Sequence, residues 1–145
     1  MFKKIFFDTN IIVDIFDDAR STHRYSLESH AYIVSQDISL YTSCDIITTI
    51  YYILSKRDKN AALSQIEDIN QTLDVVAFGN REVEATCRLM REDSDYIDLE
   101  DTMQVILAKK AGCDLIISND KKFVSKEIEV MSSPLFYERY VAKRC

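Results

Sequence analysis

The chain has 145 residues, 47% of them hydrophobic and 29% charged, with only two glycines and one proline. That length is enough to bury a core as a single domain over residues 1–145, and so few turn-formers exclude an all-β fold and long linkers. A net charge of −6, from 24 acids against 18 lysines and arginines, argues against a nucleic-acid binder working by charge alone, unless converging acids hold a divalent cation that changes the local sign.

The apolar run Ile5-Phe6-Phe7 reads as a short strand buried on both faces. It stops at Asp8-Thr9-Asn10, residue types that cap helices, and a second apolar run carries Asp14 inside it. An acid there costs stability unless it is solvated or paired. Residues 16–21 form a polar loop, and a helix is predicted over His23–Gln36 with Tyr25, Leu27, Ala31, Tyr32 and Val34 facing inward. Ser39–Thr42 is a second strand. Ser43 precedes a helix over Asp45–Lys56, on which Asp45, Thr49, Tyr52 and Lys56 share one stripe. A charged helix over Lys59–Asn70 leads to a third strand at Leu73–Ala77, and Arg81–Arg91 is helical. Leu99–Ala111 is a strong helix closed by Gly112. Asp114–Ser118 is a fourth strand, Ile128–Met131 a short fifth, and Pro134–Val141 a final turn or helix.

Strands alternating with helices imply an α/β fold, a three-layer α/β/α sandwich around a central, mostly parallel sheet. The sequence contains no repeat and no low-complexity segment. No apolar stretch approaches a membrane span, and Met1-Phe2-Lys3-Lys4 leads into a strand rather than a signal peptide, so a cytoplasmic protein is expected. Cys44, Cys87, Cys113 and Cys145 lack metal-site spacing and read as reduced thiols, three of them in semi-buried packing positions. His23 and His30 read as surface or packing residues.

Acids meet strand or helix ends at four places. Asp8 ends the first strand, where a helix cap explains it equally well. Asp45 opens the helix after the second strand, and as a lone acid it is better explained by the helix dipole. Asp98 and Asp101 are three apart at a helix start, with Asp98 the natural cap. Asp120 follows the fourth strand in Ser118-Asn119-Asp120-Lys121-Lys122, which alone is an Asn-Asp turn with a solvated lysine pair. Taken together, Asp8 and Asp120 both belong at the C-terminal edge of the sheet, where open parallel sheets bind ligands. If Asp101 joins them, their repulsion raises at least one pKa unless a cation occupies the centre, and oxygen-only ligation suits Mg²⁺ or Mn²⁺. Lys121 and Lys122 would then lie where a phosphate backbone passes.

The four blocks resemble a PIN domain, the ribonuclease fold of VapC-type toxins. They are Phe7–Asp14, Thr48–Leu54, Asp98–Gln104 and Ile117–Phe123, followed by an ending similar to Val130–Pro134 with Phe136. The resemblance implies a metal-dependent endoribonuclease that leaves 5′-phosphate and 3′-hydroxyl ends. It implies that Asp8, Asp101 and Asp120 hold the metal with Asp98 in support, that Asn10 orients Asp8, and that Ser118 takes the place of the usual hydroxyl residue before the last acid. It also implies a homodimer and a small antitoxin partner. One position departs from the pattern: the second block commonly carries a glutamate where this chain has Thr49. Asp45, one turn earlier, or Glu100 would have to rebuild the site. Otherwise the chain is a catalytically weakened PIN-like module that binds RNA or a protein. A phosphotransfer enzyme with Asp8 as nucleophile and Lys121 neutralising charge is a third reading, but haloacid-dehalogenase-like phosphatases need an acid where this chain has Asn10.

Overall fold

A computed structural model describes residues 1–144. Cys145, read above as a thiol, lies outside the described residues. The first strand, β1 (Lys4–Phe7), is the middle of a five-stranded sheet. On one side it pairs with β2 (Ser39–Ser43), which pairs with β3 (Asp74–Val76). On the other it pairs with β4 (Leu115–Ile117), which pairs with β5 (Glu129–Met131). Every pairing is parallel, so the sheet expected to be mostly parallel is parallel throughout. The order β3-β2-β1-β4-β5 reverses direction between β1 and β4. Chain crossovers leave the sheet on opposite faces at that point, which opens a crevice at the strands' C-terminal ends.

The pleat of β1 divides the core. Ile5 and Phe7 face one layer with Leu40, Leu115 and Ile117, against α1 (Thr9–Phe16), α2 (His23–Ser35), α3 (Ile46–Ser55) and α4 (Lys59–Thr72). Phe6 and Ile116 face the other, against α5 (Asn80–Glu92) and α6 (Leu99–Ala111), which contribute Leu89, Met103, Val105 and Leu107. Helices on both faces make the three-layer sandwich that alternating elements predict. A final helix, α7 (Ser133–Phe136), runs on through a wider turn at Tyr137–Val141 and a tight one at Ala142–Arg144, where a final turn or helix was expected.

Local chemistry sets the helix ends. Asp58 accepts from the backbone N–H groups of Asn60 and Ala61 to start α4, and Ser132 accepts from Leu135 N–H to start α7. Gly112 ends α6 at φ 78°, the left-handed region that disfavours other residues.

The inner face of α2 differs from the expectation. Tyr32 is buried as predicted, but Leu27 and Val34 are 40% and 45% exposed and Ala31 is also exposed, while Ser26, Ser29 and Ile33 face inward. Ser26 sits there because α2 packs partly on a hydrogen-bonding carboxylate, that of Asp14, rather than on an apolar surface. Cys113 is buried and Cys44 partly so, the positions of packing residues, while Cys87 is exposed on α5.

Candidate active site

Asp8 is the first residue past β1, and its backbone N–H extends the sheet by donating to Ile117 O at 3.1 Å. Its carboxylate is only 4% exposed and is held by three donors. Oδ1 accepts from Thr9 N–H at 2.7 Å, which caps α1. Oδ2 accepts from Ser118 Oγ at 2.7 Å and Asn10 Nδ2 at 3.0 Å. The cap read from the sequence is therefore present, and it leaves Oδ2 bonded to Ser118 and Asn10. Ser118 also accepts from Asp120 N–H at 3.2 Å, which ties the turn after β4 to Asp8.

Asp98 caps α6 by accepting from Asp101 N–H at 2.9 Å. Asp101, one turn in, is brought close enough to Asp8, Asp98, Asp120 and Glu100 to feel all four charges. Burial first, and then those carboxylates in that order, push its pKa from the ordinary 3.8 up to about 7. Glu100 is raised as well, by burial first, then Asp45, Asp8 and Asp98, while the Thr9 hydroxyl, 3.4 Å from Oε1, pulls it down. Asp45 at the start of α3 thus reaches the rim of the same cluster. It makes no capping bond of its own and instead accepts from Ser43 Oγ. Thr49 lies exposed on α3, one turn further on.

The lysines flank the acids. Lys122 lines a hollow with Asp98, Asp101 and Thr102, and its backbone N–H donates to Asp120 Oδ1 at 2.9 Å. Lys121 lines an open groove with Ser118, Asn119, Asp120 and Phe123.

A second network, which the sequence analysis did not assemble, anchors the site from behind. Asp14 is fully buried and paired: Oδ1 accepts from Arg20 Nε at 2.6 Å, and Oδ2 from Thr22 Oγ1, Ser26 Oγ and Asn119 Nδ2 at 2.6, 2.7 and 3.0 Å. Asn119 also donates its backbone N–H to Asn10 Oδ1 at 3.1 Å, and its Oδ1 accepts from Ser133 N–H at 2.8 Å. The turn carrying Asp120 is therefore bolted to α1 and α7. The sequence signal was Asp14 itself, an acid in an apolar helix that had to find donors. His23 and His30 take the packing roles expected: His23 Nδ1 meets Asp14 O at 2.6 Å, and His30 lies against Phe7.

Among the described residues, no group of three or more His, Cys, Asp or Glu side chains is arranged so that it could hold a metal ion. The donor set nevertheless fits a hard cation. It is all oxygen, and its self-repulsion, visible at Asp101, is what a divalent ion would relieve. Mg²⁺ keeps several waters and is commonly held by one or two carboxylates, so a group of three is not required. A tetrahedral zinc centre does not fit.

Asp101 gives a pH prediction. Between pH 3.8 and about 7 the unfolded chain has released a proton that the native state still holds, so native stability falls as pH rises through that window and levels off above it. Thermal melting in EDTA should show a higher Tm at pH 5 than at pH 8, and Asp101→Asn should flatten that difference. An unchanged slope in the variant would remove Asp101 as its source.

The chain matches the PIN domain family over residues 4–122, more than half its length, and it belongs to that family. It is 49% identical over 138 residues to Ribonuclease VapC1 of Aquifex aeolicus (strain VF5), with 95% of this chain and 96% of the relative covered. Two solved structures share the fold at 16% identity. VapBC2 from Rickettsia felis, bound to a DNA fragment from their promoter, superposes with a TM-score of 0.67 over 89% of this chain and 98% of its own. VapC20 of Mycobacterium tuberculosis, a sarcin-ricin loop cleaving toxin, gives 0.64 over 82% and 92%.

Proposed function

We propose that this chain is a cytoplasmic, divalent-metal-dependent endoribonuclease, the toxin of a toxin–antitoxin pair, acting as a single domain. The observation that carries the reading is the grouping of acids at the sheet's reversal point, where Ser118 ties Asp8 to the turn of Asp120 and Asp98 caps the helix turn of Asp101. The names of the relatives support the class: one is a ribonuclease, one a toxin that cleaves the sarcin-ricin loop, and one sits in a VapBC complex. By the same reasoning the partners are an RNA substrate, a small antitoxin and a second copy of the chain.

Asp8, Asp101 and Asp120 would hold Mg²⁺ or Mn²⁺, with Asp98 in support. When bound, such an ion neutralises phosphate charge and lowers the pKa of an attacking water. The chain's own residues do the positioning. Thr9 N–H, Asn10 and Ser118 fix both oxygens of Asp8. Asp98 fixes the first turn of α6, and with it Asp101. The Asn119 bridge fixes the turn that bears Asp120. Lys121 and Lys122 receive the backbone on either side of the scissile phosphate, and the products carry a 5′-phosphate and a 3′-hydroxyl.

Purified protein incubated with a mixed cellular RNA pool should yield fragments with 5′-phosphates in Mn²⁺ and none in EDTA. Exposed, uncharged Thr49 favours one rival, a PIN-like module that binds RNA or a protein without cleaving. RNA retained in Mn²⁺ with no turnover would decide for it. For the lysines, Lys121→Ala combined with Lys122→Ala should weaken RNA binding about 10-fold at low salt. The same pair should flatten the plot of log affinity against log salt by about 1.4, the share of two phosphate contacts to a single strand. An unchanged slope would exclude them as phosphate contacts.

A further inference from the structure

We propose that the open groove beside Asp120 is a base subsite, which seats the nucleotide next to the scissile phosphate on that side. This inference rests on the ribonuclease reading above and adds a determinant of RNA selection that lies outside the acids.

Two hollows meet the turn that carries Asp120, and they differ in size. At Lys122 the hollow shared with Asp98, Asp101 and Thr102 has about 10 Å³, room for a single water. At Lys121 the groove has about 460 Å³, within the roughly 300–1,000 Å³ of small-ligand sites. A strand whose phosphate lies at Asp8 and Asp120 leaves the acids past one or the other, and a base enters only the second.

The groove continues the site. Its inner wall holds Asp120 and Ser118, the residue that donates to Asp8 Oδ2. Phe123, Val130 and Pro134 give it apolar surface, and the first two are fixed in the core layer of Phe6. Laying the face of a base there takes apolar area of both partners out of water.

Charge and hydrogen bonding also fit a nucleotide. Lys121 is exposed and makes no ion pair among the described residues, whereas Lys109, Lys110 and Lys126 are each paired with an acid. Its ammonium is left for the phosphate of the seated nucleotide. Two hydroxyls lining the groove keep complementary capacity. Ser132 Oγ accepts from Leu135 N–H, and its own hydrogen has no acceptor among the described residues. Thr22 Oγ1 spends its hydrogen on Asp14 and keeps a lone pair. Base edges carry both donors and acceptors, so one base can use both hydroxyls. An apolar peptide side chain would use neither and would leave Lys121 unmatched.

The test is an abasic scan of an oligoribonucleotide that spans one cut mapped in the RNA pool, cleaved in Mn²⁺ by wild-type protein under single-turnover conditions. Removing the base next to the cut on one side should raise the half-saturating concentration about 10-fold. The maximal rate should change much less, because the contact is made equally in the ground and transition states. Removing the base across the cut should change neither. Val130→Trp, checked for folding by circular dichroism, should fill the groove, weaken the intact oligonucleotide by a similar factor and abolish the abasic effect. The scan itself needs no change to the protein, so it decides even where Val130→Trp misfolds. Equal losses on both sides of the cut, or none at any position, overturn the subsite and leave the nuclease standing. If the wild-type chain cuts no RNA in Mn²⁺, the ribonuclease reading falls and the subsite falls with it.

Discussion

Asp8→Asn is expected to reduce RNA cleavage by about 10³-fold, the upper range for removing one preorganised electrostatic group from a reacting centre. The substitution is close to isosteric, and the geometry says what it changes. Oδ1 of Asp8 accepts from Thr9 N–H, and an asparagine carbonyl can keep that cap. Oδ2 accepts from Ser118 Oγ and Asn10 Nδ2, and an amide NH₂ there faces two former donors. Ser118 can rotate and accept instead, so the net stability loss should stay at about 1–2 kcal/mol. Removing the charge also relieves Asp101, which Asp8 perturbs more than any other acid does. A folded, inactive variant is the expected result. Single-turnover cleavage in Mn²⁺ beside a circular dichroism melt measures both halves. Cleavage at the wild-type rate would mean that the nuclease activity lies elsewhere on the chain.

Legibility in the sequence followed the range of the interactions. Asp8 and Asp120 were readable because each ends a strand whose apolar run marks it as central, and a parallel sheet places both at one edge. Asp98 and Asp101 were readable as a pair because helix spacing is local, and the structure bears out Asp98 as the cap. The order β3-β2-β1-β4-β5 was not readable, because nothing short-range in β3 or β5 specifies which edge each takes. Asn119 looked like a turn former, and its role depends on Asp14 and Ser133, 105 and 14 residues away. The face of α2 was misread for the same reason. Periodicity counted Leu27 and Val34 as core, while the helix turns Ser26 toward Asp14. Glu100 stood next to Asp101 in the motif, yet only the fold shows Asp45 arriving from β2 to face it.

Asp14→Ala should be the most destabilising single change at this end of the molecule, costing about 3 kcal/mol. Removing one partner from a buried charged cluster leaves the others uncompensated. Four side chains lose their acceptor together: Arg20, Thr22, Ser26 and Asn119. Arg20 is 40% exposed and can turn to water, but Ser26 is fully buried and keeps only Ser133 Oγ, at 2.9 Å, as a partner. For a chain of this size the loss corresponds to a fall in Tm of about 10 °C. Asp14→Asn keeps one acceptor and should fall between the variant and the wild type. Asp14 is not among the acids assigned to the cation, so Mn²⁺ affinity should drop less than in Asp8→Asn. Cleavage measured well below the melting point should still decline, because Asn119 has lost Asp14, one of the three partners, with Asn10 and Ser133, that hold the turn of Asp120 in place. A variant that melts like the wild type would mean the four donors find other partners at little cost. A variant that loses 10 °C but cleaves normally in the cold would separate the Asp14 network from the site and leave Asn10 and Ser118 as sufficient support for it.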